Sequence, residues 1–135
     1  MARRQSIEIG GFSHENPIPA ASRIGPFLFS GALTGRDPVT RQMPASLADQ
    51  VANAFHRVRE LLAAAGGSTD DIVKMTVWLA EYRDRDALNA QWLAMFPDAA
   101  SRPARHVMAA QFDSGTRIQV ELVAVLPDGR SADKL

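Results

Sequence analysis

The sequence predicts an α+β domain with two helices packed on one face of a β-sheet. Three observations carry that prediction. "SLADQVANAFHRVRELLAAAGG" repeats apolar residues at helical spacing, while the segments around it alternate or run apolar over strand lengths. The order along the chain is strands, helix, strand, helix and two strands, not a regular βαβα alternation. The 135 residues, 46% hydrophobic and 22% charged, are enough for one domain with a real core.

The whole chain, 1–135, reads as one domain whose residues 1–4 and 128–135 are frayed. "QSIEIGG" alternates polar and apolar residues and reads as a short strand. "SHENPIPAASRIGP" has three prolines and little periodicity, so it reads as a loop or irregular edge. "FLFSGAL" reads as a short buried strand, and "TGRDPVTRQMP" is turn-rich. The long helix starts at Ser46 as N-cap, with Asp49 at the capping-box offset. Its apolar stripe is Val51, Phe55, Val58 and Leu62, and Gly66-Gly67 ends it. "DDIVKMTVWLA" reads as a strand with Val73, Met75, Val77 and Leu79 on one face and Trp78 on the other. A second helix, "RDALNAQWLAMF", ends at Pro97. "PARHVMAAQF" and "RIQVELVAVL" read as two strands of a hairpin turned at "DSG". Leu122 to Leu126 is apolar on both strand faces, and two helices cover only one, so a homo-oligomer is expected.

Composition excludes several classes. Lys+Arg and Asp+Glu both total 15, so no net field favours nucleic acid or a membrane surface. The absence of cysteine removes disulfides, thiolate nucleophiles and cysteine-bound zinc. His14, His56 and His106 lack metal-ligand spacing, and there is no phosphate-binding glycine loop, so no metal is expected. No stretch approaches the ~18 apolar residues of a membrane span, and the N-terminus lacks the apolar run of a signal peptide. A cytoplasmic protein is expected.

Taken together, "ELLAAAGGSTDDIVKMTVWL", "LNAQWLAMF", "RPARHVMAAQF" and "RIQVELVAVL" resemble the RidA (YjgF-like) reactive-intermediate deaminases. The match runs over roughly residues 14–126, in the family's order and spacing. The resemblance implies a chorismate-mutase-like mixed sheet assembled as a homotrimer, with clefts between subunits. It implies cofactor-free hydrolysis of reactive enamines and imines to 2-keto acids and ammonia. Some family members have been described as ribonucleases, but here there is no basic stripe and only one tyrosine for base stacking.

The candidate catalytic residues are Arg105 and Glu121. Alternation puts Arg105 with Val107 on one face of its strand and His106 with Met108 on the other. An arginine at a strand start is either a rim cation paired with an acidic neighbour or a bidentate carboxylate receptor. The resemblance implies the second, a substrate-carboxylate anchor. Glu121 falls where its strand turns wholly apolar, so it must be paired, hydrated or protonated. It is either an ion-pair partner of Arg117 or Arg105, or a carboxylate that activates water; the resemblance implies the latter. Ser30-Gly31 matches the family's "SG" beside the pocket, where glycine would let a ligand approach the backbone; its other reading is a plain strand end. Asn89 in "LNAQW" matches a cleft asparagine, and would otherwise be helix surface.

Four positions depart from the family's pattern. Ile18 stands where the family has a tyrosine, Ala32 where glutamine is common, Val107 where cysteine is frequent, and His106 replaces a small polar residue. Ile18 and His106 are therefore candidate substrate-binding residues for a larger or more apolar substrate, and His106 has a purely structural reading as well. The expected activity is imine or enamine deamination with that altered preference. The expected partners are a carboxylate-bearing small molecule and other copies of the chain. Two alternatives stand beside it: a catabolic deaminase of an aminomuconate-like compound, and a non-catalytic module that binds a small carboxylate and regulates a partner.

Overall fold

A computed structural model describes residues 2–10 and 16–127. The strands are β1 (Arg4–Ile7), β2 (Ala21–Ile24), β3 (Phe27–Ser30), β4 (Leu33–Thr34), β5 (Ile72–Leu79), β6 (Ala104–Ala109) and β7 (Ile118–Val125). The helices are α1 (Leu47–Ala64) and α2 (Asp86–Met95), with a 3-10 turn at Thr69–Asp71. One sheet runs β1-β2-β3-β7-β5-β6, and β4 also pairs with β7. Only β5 and β6 are parallel, joined through α2, so the sheet is mixed and the α+β expectation holds.

Both ends of α1 follow from local chemistry. The Asp49 amide donates to Ser46 Oγ at 3.1 Å. The reciprocal capping box forms one turn of chain later, between Ser68 and Asp71. At the C-terminus Gly66 takes φ +83°, its N–H donates to Ala63 O, and Gly67 N–H donates to Leu62 O. That is a Schellman ending, and glycine is the residue that enters left-handed backbone without strain.

The inner face of α1 buries Val51, Phe55, Val58 and Leu62, as its stripe predicts. They meet Leu28, Leu33, Met75, Val77, Leu79, Ile118, Val120 and Leu122 from the sheet and Leu88 from α2. Each large side chain here contributes about 1.5–3 kcal/mol of burial. Buried Gln50 ties α1 to the turn before β7. Its Nε2 donates to Pro44 O at 2.7 Å and Gly115 O at 2.9 Å, and its Oε1 accepts from Arg117 N at 2.8 Å.

Four local expectations are corrected. Residues 21–24 of the expected loop form β2, in a β2-β3 hairpin turned at Gly25 with φ +56°. The rest of that segment includes 13–15, which lie outside the described residues, as do 128–135. Arg4, expected to be frayed, opens β1. A bulge between Ile72 and Lys74 turns Val73 out to solvent, away from buried Met75, Val77 and Leu79. Finally, β6 and β7 do not form a hairpin. The α2 crossover returns the chain to the outer edge of β5, and residues 110–117 then pass over the end of β5. Ala110 N donates to Leu79 O there, and Ala80 N to Arg117 O. β7, apolar on both faces from Leu122 onward, takes the central position.

The face of the sheet opposite the helices is open. It presents Phe27 at 53%, Phe29 at 57% and Val125 at 41% exposure. Such a contiguous apolar surface is the kind another protein surface covers.

Gly35 sets how closely α1 approaches β4. A Cβ there would overlap the Gln50 backbone. Gly35→Ala is therefore expected to lower stability by about 1–3 kcal/mol, through forced displacement of the helix. Urea denaturation compared with wild type measures this, and an unchanged midpoint would contradict the close packing.

Candidate active site

The expected site residues fall into two groups on opposite sides of the sheet. The first surrounds Arg105. On β6, Arg105 is in register with buried Met75 and so points to the helix-covered side. Its guanidinium stacks over the Trp92 ring of α2, with Cζ 4.9 Å from the ring centroid. Trp92 is fixed in turn by an edge-to-face contact with Phe96 at 4.7 Å. Arg105 Nη1 is buried and has no hydrogen-bond partner among the described residues. Burial first, then repulsion from Arg85, lowers its pKa below the ordinary arginine value. A desolvated, stacked guanidinium with a donor to spare is prepared for an anion. Asn89 belongs to this group: it is half-buried on α2, one turn before Trp92.

The second group surrounds Glu121. On β7, Glu121 lies between buried Val120 and Leu122, so it points to the open face and is half-buried. No hydrogen-bond or ion-pair partner for it is found among the described residues. It faces the bend between β3 and β4, where residues 31–32 leave the ladder. Ser30 closes that gap: its Oγ accepts from Leu122 N at 2.9 Å and donates to Gly31 O at 2.8 Å. Gly31 N donates to Ala20 O at 2.8 Å, which brings Ile18, 52% exposed, to the same end of the sheet. A Cβ at Gly31 would meet Ala20 O at 3.6 Å, an ordinary contact. Nothing among the described residues requires glycine at that position.

His106 is exposed on the open face, away from Arg105, as alternation predicts. It shares a cross-strand row with Glu121, because Thr76 of β5 is in register with both. The pairing of Glu121 with Arg105 or Arg117 that its burial allowed is absent among the described residues. Within one chain the sheet itself separates Arg105 from Glu121. Reading the sequence alone passed over Trp92 and Thr76. Trp92 was accessible in principle, three residues after Asn89 on one helix face; Thr76 depends on a register that only the fold reveals.

A cavity of about 450 Å³ lies elsewhere, at the β1–β3 edge, lined by Arg3, Arg4, Ser22, Arg23, Ile24, Phe27 and Phe29. It holds none of the candidate residues. No group of three or more His, Cys, Asp or Glu able to hold a metal occurs among the described residues. Nor is any helix there long and apolar enough to cross a membrane.

A family model described as Endoribonuclease L-PSP matches residues 14–126. The chain belongs to this family, that of RidA and YjgF. Its relatives include a protein of Escherichia coli K12 named as a reactive intermediate deaminase, TdcF, 29% identical over 76% of this chain and 81% of its own. They also include the 2-iminobutanoate/2-iminopropanoate deaminase of the same organism, 31% identical over the same shares. Among solved structures, RidA from the Antarctic bacterium Psychrobacter sp. PAMC 21119 superposes with a TM-score of 0.83 at 23% identity. That alignment covers 90% of this chain and 99% of that one. It shows that the RidA family member described above has the family's fold.

Ser30 carries a structural duty whatever else it does. Ser30→Ala would leave the Leu122 N–H unpaired at the edge of the core, and a loss of about 1–3 kcal/mol is expected. Chemical denaturation and amide exchange at Leu122 measure it; unchanged exchange would mean the hydroxyl is dispensable to the ladder.

Proposed function

We propose that the protein hydrolyses 2-imino and 2-enamino acids to 2-keto acids and ammonia, in a site completed between copies of the chain. The observation that carries this reading is the opposite facing of two unpaired charges, Arg105 and Glu121. One substrate can touch both only if they come from different copies. The open apolar face and family membership support a homotrimer, in which the helix-side edge of one subunit meets the open face of the next. The deaminase names of the relatives support the reaction.

The chemistry asks little of the protein. An enamine tautomerises to its imine, whose carbon is already electrophilic. Arg105 holds the substrate carboxylate through its fork of donors. Glu121 accepts a proton from a water as its oxygen bonds to the imine carbon and the C=N pair shifts to nitrogen. Glu121 returns that proton to nitrogen to give the carbinolamine, then carries the hydroxyl proton to the same nitrogen as the C–N bond breaks, which leaves the 2-keto acid and ammonia. Positioning is the main contribution, and no strong nucleophile has to be generated. Asn89 is a substrate contact on the Arg105 side; Ser30, Gly31 and Ile18 border the water side. His106, on the open face, is a contact to a larger substrate.

A subunit-mixing experiment tests the shared site. Arg105→Ala and Glu121→Gln variants should each lose at least tenfold in kcat/KM on imines generated in situ by an amino-acid oxidase. Arg105→Lys should behave like the alanine variant, because an ammonium lacks the planar fork. Random reassociation of equal amounts of the two inactive variants would leave about one site in four, averaged over all trimers, with both groups intact, restoring about 25% of activity. Verified mixed oligomers without recovery would place both groups in one subunit, and a monomer by light scattering would overturn the assembly.

Ile18 replaces a phenol by a branched hydrocarbon, which deletes a hydrogen bond of about 0.5–1.5 kcal/mol and adds apolar wall. Each further buried methylene of substrate contributes up to ~0.8 kcal/mol. The leucine-derived imine is therefore expected to outcompete the alanine-derived one by roughly tenfold. Ile18→Tyr should narrow the gap, and an identical ratio in both proteins would remove position 18 from the pocket.

A further inference from the structure

Arg105 is not the only cation on its side of the sheet. Arg85 precedes α2, and Arg85, Asn89 and Trp92 follow one another at i, i+4 and i+7. That spacing puts all three on one helix face. The stripe ends at Trp92, over which Arg105 stacks, and spans about 10 Å of helix axis. Arg85 is held much as Arg105 is. Its Cζ lies 4.6 Å from the Tyr82 ring centroid, and its Nε donates to Tyr82 O at 3.2 Å. Neither arginine has an acidic partner among the described residues. The two are close enough for Arg85 to disfavour the charge on Arg105.

Two guanidiniums, each braced by an aromatic face and neither ion-paired among the described residues, repel one another. Asp84 and Asp86 flank Arg85 in the chain, but no acid is within ion-pair distance of either guanidinium among the described residues. A ligand bearing a carboxylate at each end would relieve the repulsion, one carboxylate at each arginine and the carbon chain along Asn89 and the Trp92 ring. We propose that Arg85 is a specificity residue that binds a second carboxylate, so that the substrate is a 2-imino or 2-enamino dicarboxylic acid. This deepens the deaminase reading and rests on it for the reaction. The charge preference stands on binding alone.

The test compares 2-oxoglutarate with 2-oxopentanoate, stable keto acids of equal chain length that differ in the terminal carboxylate. Isothermal calorimetry on the wild-type oligomer is expected to give at least tenfold tighter binding of 2-oxoglutarate. Arg85→Leu and Arg85→Gln should both reduce the preference to less than threefold, while Arg105→Lys weakens both ligands. The wild-type preference should also shrink as salt rises from low to high. Equal wild-type affinities, binding of neither ligand, or a preference that survives both Arg85 variants would overturn the proposal. So would Arg85 variants that dissociate the oligomer without changing the ratio of affinities, since Arg85 would then be pairing with an acid of another copy. Hydrolysis of the matching imines is measured separately. Preference without hydrolysis sinks the deaminase reading and leaves the dicarboxylate site intact.

Discussion

Strand β7 pairs along both edges, with β3 and β4 on one side and β5 on the other, while its side chains alternate between a helix-covered and an open face. Ile118, Val120, Leu122 and Ala124 go inward; Gln119, Glu121, Val123 and Val125 go outward. A slip of one residue would drive Glu121 into the core and expel Leu122. Burying that carboxylate without a partner costs several kcal/mol, so the register is held as strongly by what must stay out as by what goes in. The Gln50 side chain fixes the start of β7, and Ser30 Oγ spans the gap at Leu122. The position of Glu121 is therefore a consequence of core packing.

The same alternation, transmitted through β5, decides the other half of the chemistry. β6 is parallel to β5 with Arg105 beside Met75 and His106 beside Thr76, so Arg105 inherits the helix side and His106 the open side. Rigid elements place each group, and neither depends on a flexible loop for its direction. The separation of Arg105 from Glu121 is built into the sheet and would survive any change of side-chain rotamer. Neither is paired among the described residues and the apolar face beside them is uncovered, which fits the site proposed between copies.

Most of this was legible in the sequence where periodicity is strong. The α1 stripe, its Ser46 and Gly66 ends, α2 up to Pro97 and the alternation around Arg105 and Glu121 can all be read from spacing. What escaped involves partners distant in sequence. β2 hides behind prolines because its evidence is a pairing with β3, and its own residues, Ala-Ser-Arg-Ile, are unremarkable as a strand. Alternation would put Val73 on the face of Met75, but the bulge between Ile72 and Lys74 breaks it. The "DSG" segment does turn, with Ser114 at φ +59° and Gly115 at φ +77°, but a tight turn does not make its flanks neighbours. The α2 crossover had already committed β6 to the far edge of β5. For the site, a resemblance could name Arg105 and Glu121, but which face each occupies needed the register.

The electrostatics of the Arg105 side bear on how the fold tolerates its own site. A guanidinium with a buried, unpartnered Nη1 costs desolvation energy that no acid of the described chain repays. Trp92 offsets part of it, since a cation over an indole face gains about 0.5–2 kcal/mol. Tyr82, itself 44% exposed, stacks with Arg85 nearer solvent. The aromatic faces thus hold two like charges on one side of the sheet, Arg105 partly dry and Arg85 nearer solvent. On the proposed reading a bound anion relieves that repulsion, and its binding energy is then larger than at a solvated lysine. An apolar side chain at either aromatic position would keep the packing and lose that support, leaving the arginine free to turn toward solvent. On the proposed reading, the anion affinity of this edge resides in the arginine–aromatic pairs taken together, with Trp92 and Tyr82 as much a part of it as Arg105 and Arg85.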